Sequence, residues 1–157
     1  MDTRARSGGF EQFALALLRV MAGLMFMEHG LQKIFGMLGG YEKVAGATAP
    51  FLSQDWIGGN LETFGGALLV LGLLTRPVGF LLSGYMAVAY FMVHAPNGFF
   101  PLLNNGEKAA LYSFVYFYFF AAGGGRYSLD ALLARRRERK RDAAVAPAIE
   151  VRERAVR

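Results

Sequence analysis

Charged residues are scarce in the middle of this sequence. Of 29 charged residues in 157, only 11 lie between residues 11 and 122, whereas 15 lie in residues 126–157. Soluble domains carry about 25% charged residues, so the middle of the chain is too poor in charge to form a water-soluble surface. The net charge of +5 comes from a basic tail rather than from one face of a folded domain. This distribution argues against a nucleic-acid-binding protein.

The sequence also has no cysteine and only two histidines, His29 and His94. Without cysteine this chain forms no disulfide, no cysteine zinc site and no cysteine-held iron–sulfur cluster, and it has no thiol redox chemistry. Any redox role must therefore depend on a bound molecule or on a partner.

Four apolar segments divide the middle of the chain. A hydrocarbon core about 30 Å thick needs roughly 20 apolar residues per helix, and stretches containing glycine or proline separate segments of about that length. The predicted spans are residues 11–35, 57–74, 78–94 and 108–122. A soluble helical domain is the alternative, but the segments are apolar on all faces rather than along one stripe. The predicted fold class is an all-α integral membrane protein with an antiparallel four-helix bundle.

Lysine and arginine near the span ends predict the orientation. With four spans, Arg4, Arg6, Arg76 and all the basic residues from Arg126 onward fall on one side of the membrane. This bias predicts that both termini, including residues 1–10, are cytoplasmic in a multi-pass protein of the bacterial inner membrane. The first segment is too long for a signal peptide and lacks a small-residue cleavage site, so it is predicted to be retained.

The chain after the fourth span is predicted to lie on the cytoplasmic membrane surface. Glycines at 123–125 end the span, and Ser128 can cap another helix. Residues 123–142 are predicted to form a basic amphipathic helix that binds anionic lipids, at about 1 kcal/mol for each basic residue. Residues 143–157 combine mixed charge with few large apolar side chains and are predicted to be disordered.

Polar side chains interrupt the predicted spans, mostly near their outer ends. An ionisable group at bilayer depth costs at least about 2.5 kcal/mol on insertion scales, so each is a candidate for function. The candidates for a polar pocket are Arg19, Glu28, His29, Gln32, Lys33, Glu62, His94 and Glu107. The candidates for an aromatic wall are Tyr90, Tyr112 and Tyr116. Helical spacing places those of the first span on about half of its circumference, where they can face the interior together.

Three interpretations of these polar residues remain open. They can neutralise one another, for example Lys33 with Glu28 or Glu62, and only fix the helix register. They can form a pocket for a small molecule or a quinone headgroup. They can hold haem or another metal, since His29 and His94 lie at similar depth on different helices. Two histidines without a ligand-spacing motif make haem the weakest choice, and no metal site is predicted.

Several short motifs occur in the order and spacing of a known family. They are Leu18-Arg19, His29-Gly30-Leu31, Lys33-Ile34-Phe35-Gly36, Glu62 with Gly65-Gly66, Leu73-Leu74-Thr75-Arg76, His94-Ala95-Pro96-Asn97-Gly98 and Gly125-Arg126-Tyr127-Ser128-Leu129-Asp130. Over residues 13–133 the chain resembles the DoxX family of small bacterial membrane proteins. The resemblance implies an antiparallel four-helix bundle. Relatives include a subunit of an archaeal thiosulfate:quinone oxidoreductase and a mycobacterial organiser of oxidative-stress enzymes, which implies redox or sulfur metabolism.

The first functional hypothesis is a membrane subunit or organiser of an oxidoreductase assembly. Its outer pocket would bind a quinone headgroup or a small sulfur oxyanion, and no catalytic residue is assigned. The residues expected to form that pocket are Arg19, His29, Lys33, Glu62 and His94. The second hypothesis is a scaffold that recruits soluble redox enzymes through residues 126–141. The third is a small-molecule transporter, which four short spans without an internal repeat disfavour unless the protein forms a homo-oligomer.

Overall fold

The computed structural model describes the backbone of residues 3–156 and the side chains of residues 8–144. This part of the chain is all helical, which confirms the predicted all-α class, and it contains no strand. The α-helices are α1 (Thr3–Phe35), α2 (Gln54–Leu71), α3 (Thr75–Ala89), α4 (Glu107–Ala122) and α5 (Leu129–Val156). A π-helical turn, Tyr90–His94, continues α3, and 3-10 turns lie at Tyr41–Lys43 and Ala95–Asn97.

Two helical stretches are long and apolar enough to cross a membrane, Gly8–Phe35 and Thr75–Asn97. Only 33% and 28% of their most apolar windows are buried inside the protein, so most of their apolar side chains face outward. Large apolar side chains on the outer faces of α2 and α4, such as Phe64 and Phe114, are exposed as well. A soluble protein rarely exposes apolar surface on this scale, which argues against the soluble alternative.

One hydrophobic core joins α1, α2, α3 and α4. Each helix contributes at least one buried side chain to it, including Phe26, Leu69, Leu82 and Tyr116. The rings of Phe26 and Tyr116 meet edge to face with their centroids 5.1 Å apart. Such aromatic pairs stabilise a fold by about 0.5–1.5 kcal/mol beyond the contribution of the apolar area that they bury.

Glycines bring α1 and α2 into backbone contact. A Cβ atom at Gly66 would lie 2.6 Å from the carbonyl oxygen of Gly23, and one at Gly30 would lie 2.4 Å from the backbone nitrogen of Thr63. Because these contacts pair residue 23 with 66 and residue 30 with 63, the two helices run antiparallel. Close approach through small residues suits helices in lipid, where packing takes the place of a hydrophobic driving force.

Helix α5 begins at a polar contact with the turn between α2 and α3. The Asp130 carboxylate accepts hydrogen bonds from the backbone N–H groups of Leu74 (2.8 Å) and Thr75 (2.9 Å), which have no partner within α3. Burial alone would raise the pKa of Asp130. The hydrogen bonds from Thr75 and Leu74 and the positive charge of Arg19 outweigh burial, so this pKa lies below its ordinary value of 3.8.

Replacing Asp130 by alanine should destabilise the protein by about 1 kcal/mol, the usual cost of losing a helix cap. Since the pKa is lower in the folded state, the contribution of Asp130 is present above the unfolded pKa and is lost as the pH falls through the folded pKa. The melting temperature in detergent should therefore fall more below about pH 4 for the wild type than for Asp130→Ala. Asp130→Asn keeps one acceptor but does not titrate, so its melting temperature should also lack the additional fall that wild type shows below about pH 4. Parallel pH profiles for wild type and both variants would contradict this assignment.

Helix α5 continues past residue 142, where mixed charge predicts disorder, and ends at Val156. The alanine, glutamate and arginine residues of this segment favour a helix, whereas Pro147 within it opposes one. Side chains 132–144 are all exposed. The side chains of residues 145–157 lie outside the described part of the chain.

Candidate functional site

A polar cavity of about 460 Å³ lies among α1, α2, α3 and α4. It is at the end of the helices where α1 and α3 finish and α2 and α4 begin. Its ionisable lining residues are His29, Lys33, Asp55, Glu62, His94 and Lys108. The aromatic side chains Phe26, Tyr85 and Tyr112 complete much of the wall. The antiparallel helices thus bring polar residues from distant parts of the sequence to one place.

Glu62 lies deepest among these ionisable groups. Its side chain is only 6% exposed, and its Oε1 atom accepts hydrogen bonds from Lys33 Nζ at 2.8 Å and from Tyr85 Oη at 2.9 Å. Its Oε2 atom is buried and has no hydrogen-bond partner among the described residues. Leaving a buried acceptor unsatisfied costs about 1–3 kcal/mol. Glu62 lines the cavity, and its Oε2 is satisfied only if an additional hydrogen-bond donor reaches it.

Lys33 connects two carboxylates. Its Nζ atom is 2.8 Å from Glu62 Oε1 and 3.9 Å from Asp55 Oδ1. The Lys33–Glu62 pair that the sequence suggested is therefore present, so mutual neutralisation accounts for part of the cluster. It does not account for the free oxygen of Glu62 or for the two histidines.

Asp55 lies at the exposed mouth of the cavity. Its Oδ2 atom accepts a hydrogen bond from Tyr41 Oη at 2.7 Å. This hydrogen bond raises the pKa of Tyr41 to about 12, so the phenol stays protonated at neutral pH. The loop between α1 and α2 is thereby attached to the first turn of α2.

His94 ends the π-helical turn after α3. Its Nδ1 atom is 3.1 Å from the backbone carbonyl oxygen of Asn104. Because a carbonyl only accepts, this contact favours a proton on Nδ1 and leaves Nε2 as an acceptor. π-Helical turns are frequent at functional sites, and this one places His94 in the cavity wall.

Tyr90, at the start of the same turn, has a structural role. Its hydroxyl donates to the carbonyl of Phe99 and accepts from Asn104 Nδ2 at 3.3 Å. Asn104 is 4% exposed and also bonds Gly98 and Gly106. These contacts fix the loop between α3 and α4, so Tyr90 supports the cavity without lining it.

The structure brings together only part of the residue set proposed from sequence. His29, Lys33, Glu62, His94 and Tyr112 line the cavity. The predicted residues that do not line it are Arg19, Glu28, Gln32, Glu107, Tyr90 and Tyr116. Tyr116 is fully buried in the core, with its hydroxyl 3.4 Å from the carbonyl oxygen of Ala22. Glu28 and Glu107 are exposed.

Arg19 lies in a separate buried cluster toward the other end of α1. Its guanidinium donates to the carbonyls of Leu69, Val70 (3.0 Å) and Tyr127 (2.8 Å). The carbonyls of Leu69 and Val70 belong to the last turn of α2, and that of Leu69 also accepts a hydrogen bond from the Gly72 N–H at 3.0 Å. Arg19 therefore joins α1, α2 and the segment before α5.

Three ionisable lining residues were not among the sequence candidates: Asp55, Tyr85 and Lys108. Asp55 was missed because the predicted span begins at residue 57, whereas Ser53 caps α2 and accepts a hydrogen bond from the Trp56 backbone at 3.1 Å. The Ser53 capping signal could have revealed the earlier start. Among the described residues, no group of three histidine, aspartate or glutamate side chains is arranged to hold a metal ion.

Comparison with known proteins is consistent with this architecture. The DoxX family model matches residues 14–95. An uncharacterized protein of Haemophilus influenzae is 40% identical over 128 residues, which cover 77% of this chain and 91% of that protein. A Bacillus subtilis protein named "Putative oxidoreductase CatD" is 33% identical over 91 residues, covering 58% of this chain and 65% of that protein. No solved structure matches.

An all-helical chain with two membrane-length apolar stretches and an outward-facing apolar surface defines a helical membrane protein. The match over residues 14–95 shows that this chain belongs to the DoxX family.

Proposed function

We propose that α1, α2, α3 and α4 each cross the bacterial cytoplasmic membrane and form an antiparallel four-helix bundle with both termini in the cytoplasm. The outward exposure of Phe64 on α2 and Phe114 on α4 supports spanning by the two shorter helices. Helix α4 has 16 residues, or about 24 Å, which is short but adequate for a thin or locally compressed bilayer. Arg76 and the basic residues from Arg126 onward support a cytoplasmic location for that end of the bundle.

We further propose that the bundle is a membrane subunit of a redox assembly that binds a quinone headgroup or a small sulfur oxyanion in its outer cavity. The single observation that carries this proposal is the convergence of His29, Lys33, Glu62 and His94 on one cavity. Ionisable groups at membrane depth are costly and mark functional sites. The similarity to a protein named as an oxidoreductase supports the redox assignment.

The cavity offers suitable chemistry for such a ligand. Nε2 of His94 can accept a proton or a hydrogen bond from a bound ring, and Glu62 can accept through Oε2. Lys33 and Lys108 can donate to a carbonyl or to an anionic oxygen. These residues bind and orient the ligand, and His94 and Glu62 can accept protons, while electrons would pass to another member of the assembly.

Mass spectrometry of the purified protein tests ligand binding. We expect wild type isolated in mild detergent to retain a small molecule, and Glu62→Gln and His29→Ala to retain about tenfold less. Glu62→Gln removes the charge that strengthens a hydrogen bond, and His29→Ala removes a polar side chain from the cavity wall. Glu107→Gln is the matched control, because Glu107 is exposed and does not line the cavity. A visible spectrum of the same sample distinguishes a quinone from haem.

This proposal fails if the variants insert normally and both the bound molecule and cellular sensitivity to oxidants remain at wild-type levels. Size-exclusion chromatography of each variant shows whether a lost ligand reflects a lost fold. A ligand that is equally depleted in Glu107→Gln would place the binding site elsewhere.

A non-catalytic scaffold is the second candidate, and the exposed basic surface of α5 favours it. Asp130 fixes the start of this helix to the bundle, while side chains 132–144 are exposed. These residues are available for anionic lipids or for a soluble redox enzyme. Removal of the chain after Leu133 separates the two functions, because it deletes the recruiting surface and leaves the cavity intact.

A further inference from the structure

A groove of about 310 Å³ lies between α1 and α4 on the outer surface of the bundle. Leu18, Met21 and Met25 form its α1 wall, and Leu111 and Val115 form much of its α4 wall. These side chains are apolar and mostly exposed. In a membrane-embedded bundle the groove faces the acyl chains.

The groove and the polar cavity meet. His29, Lys108 and Tyr112 line both spaces. Helices α1 and α4 contact each other far less than α1 contacts α2 or α3 contacts α4. The groove between α1 and α4 therefore lies directly beside the polar cavity.

The charges in the cavity favour a neutral headgroup. Lys33 and Lys108 contribute two positive charges, and Asp55 and Glu62 contribute two negative charges. Lys33 is already paired with both carboxylates. A small anion would thus meet little net positive charge and would face two carboxylates, which disfavours its binding.

The free oxygen of Glu62 specifies the kind of headgroup. Oε1 is occupied by Lys33 and Tyr85, whereas Oε2 is buried and has no partner among the described residues. A carboxylate oxygen only accepts hydrogen bonds. A ligand that presents a hydroxyl group satisfies Oε2, and one that presents only carbonyl oxygens does not.

We infer that the site takes a single amphipathic ligand with a hydroxylated ring and a linear apolar tail. The ring lies in the polar cavity with one hydroxyl donating to Glu62 Oε2, and the tail lies in the groove between α1 and α4. The ligand enters sideways from the membrane. This inference rests on the proposed function and narrows it to a reduced, tailed quinone rather than a sulfur oxyanion.

A second apolar groove provides an internal control. It lies between α2 and α3, has a similar volume of about 320 Å³, and includes Phe64 and Leu81. It shares no lining residue with the polar cavity. A tail bound through general affinity for apolar grooves would use both grooves, whereas a tail attached to a ring in the cavity can use only the groove between α1 and α4.

The test compares Leu111→Trp with Leu81→Trp in detergent-purified protein. Both substitutions place an indole in an outward-facing apolar groove, but only the first blocks the groove that joins the cavity. The probes are decyl-hydroquinone, methyl-hydroquinone and thiosulfate.

The expected difference comes from packing of the tail in the groove. Because detergent also solvates the tail, the groove adds van der Waals contacts to the binding free energy rather than a hydrophobic transfer term. We therefore expect decyl-hydroquinone to bind about tenfold more weakly to Leu111→Trp than to wild type or Leu81→Trp. Methyl-hydroquinone should bind all three proteins equally, which also shows that they are folded.

A second measurement needs no groove variant. Wild type should bind decyl-hydroquinone about tenfold more tightly than the oxidised decyl-quinone, because only the reduced ring donates to Glu62. Glu62→Gln, whose amide group can donate to a carbonyl, should lose this preference.

The remaining outcomes separate this inference from the proposed function. Equal binding of decyl-hydroquinone to all three proteins, or equal affinity of wild type for both redox forms, overturns the inference and leaves a headgroup site in place. Binding of thiosulfate alone also overturns it and supports the oxyanion form of the proposed function. If no probe binds wild type, both this inference and the proposed function fail.

Discussion

Replacing Arg19 by leucine should lower the free energy of unfolding by about 3 kcal/mol or more. The side chain is 2% exposed, and its guanidinium satisfies the carbonyls of Leu69, Val70 and Tyr127. Leucine fills part of the volume but donates no hydrogen bond. The carbonyls of Val70 and Tyr127 then lose the guanidinium as a donor, and the carbonyl of Leu69 keeps only the Gly72 N–H. The loss also removes a positive charge from the C-terminal end of α2, where the helix dipole favours it.

Thermal unfolding in detergent, followed by the fluorescence of the single tryptophan, measures this effect. Arg76→Leu is the matched control, since Arg76 is exposed and makes one hydrogen bond, to the Phe120 carbonyl at 3.1 Å. We expect a change below about 1 kcal/mol for this control. Arg19→Lys should lie between the two variants, because lysine keeps the charge but not the forked geometry. Similar melting temperatures for Arg19→Leu and Arg76→Leu would show that the Arg19 cluster does not hold the helices together.

Arg19 also shows what the sequence could not predict about the site. Its depth in an apolar segment correctly marked it as unusual, but depth does not say which cluster a side chain joins. Arg19 precedes Lys33 by 14 residues, or about 21 Å along α1, which is too far for both to contact one small ligand. The sequence predicts how deep a polar residue lies along a helix, but not which residues on other helices it contacts.

The position of each residue around α1 explains the other differences. Taking Phe26 as the centre of the buried face and 100° per residue, Lys33 lies about 20° away and His29 about 60° away. Gln32 lies about 120° away and Glu28 about 160° away, on the far side of the helix. The two nearer residues line the cavity and the two farther ones do not. A narrower sector around Phe26 would have selected the pair that lines the cavity, but the buried face is known only once α2 is in place.

The apolar runs predicted where helices form, and glycines predicted where two of them end. Helix α1 ends at Phe35, before Gly36, and α4 ends at Ala122, before Gly123. The π-helical turn from Tyr90 to His94 could not be predicted, because it depends on contacts of Tyr90 and Asn104 with the following loop. Tyr85 was missed for a similar reason, since its partner Glu62 lies on another helix.

The two ends of the helices differ in their polar contacts. At one end, Arg19 and Asp130 join four segments through buried or partly buried hydrogen bonds. At the other, the polar cavity lies among helix ends. Within the described part of the chain, buried polar atoms without a hydrogen-bond partner occur at both ends: Arg19 Nε and Thr75 Oγ1 at the first, and Glu62 Oε2 at the second.

Replacing Gly30 by alanine should lower the free energy of unfolding by about 3 kcal/mol. The added Cβ would lie 2.3 Å from Thr63 Oγ1, 2.4 Å from the Thr63 nitrogen and 2.6 Å from the Gly59 carbonyl oxygen. Two of these atoms belong to the backbone, so α1 and α2 must move apart. Because Thr63 follows Glu62, this movement would also separate Lys33 from Glu62 and weaken ligand binding.

Gly84→Ala is the control for Gly30→Ala. Gly84 lies inside α3, and no atom comes within 4 Å of a Cβ placed there, so alanine should be neutral or should stabilise by up to about 1 kcal/mol through helix propensity. Melting temperature and hydroquinone affinity measured on both variants distinguish steric separation of α1 and α2 from a general effect of alanine. If Gly30→Ala melts and binds like Gly84→Ala, the backbone contact between α1 and α2 does not hold the Lys33–Glu62 pair in place, and another element must support the cavity.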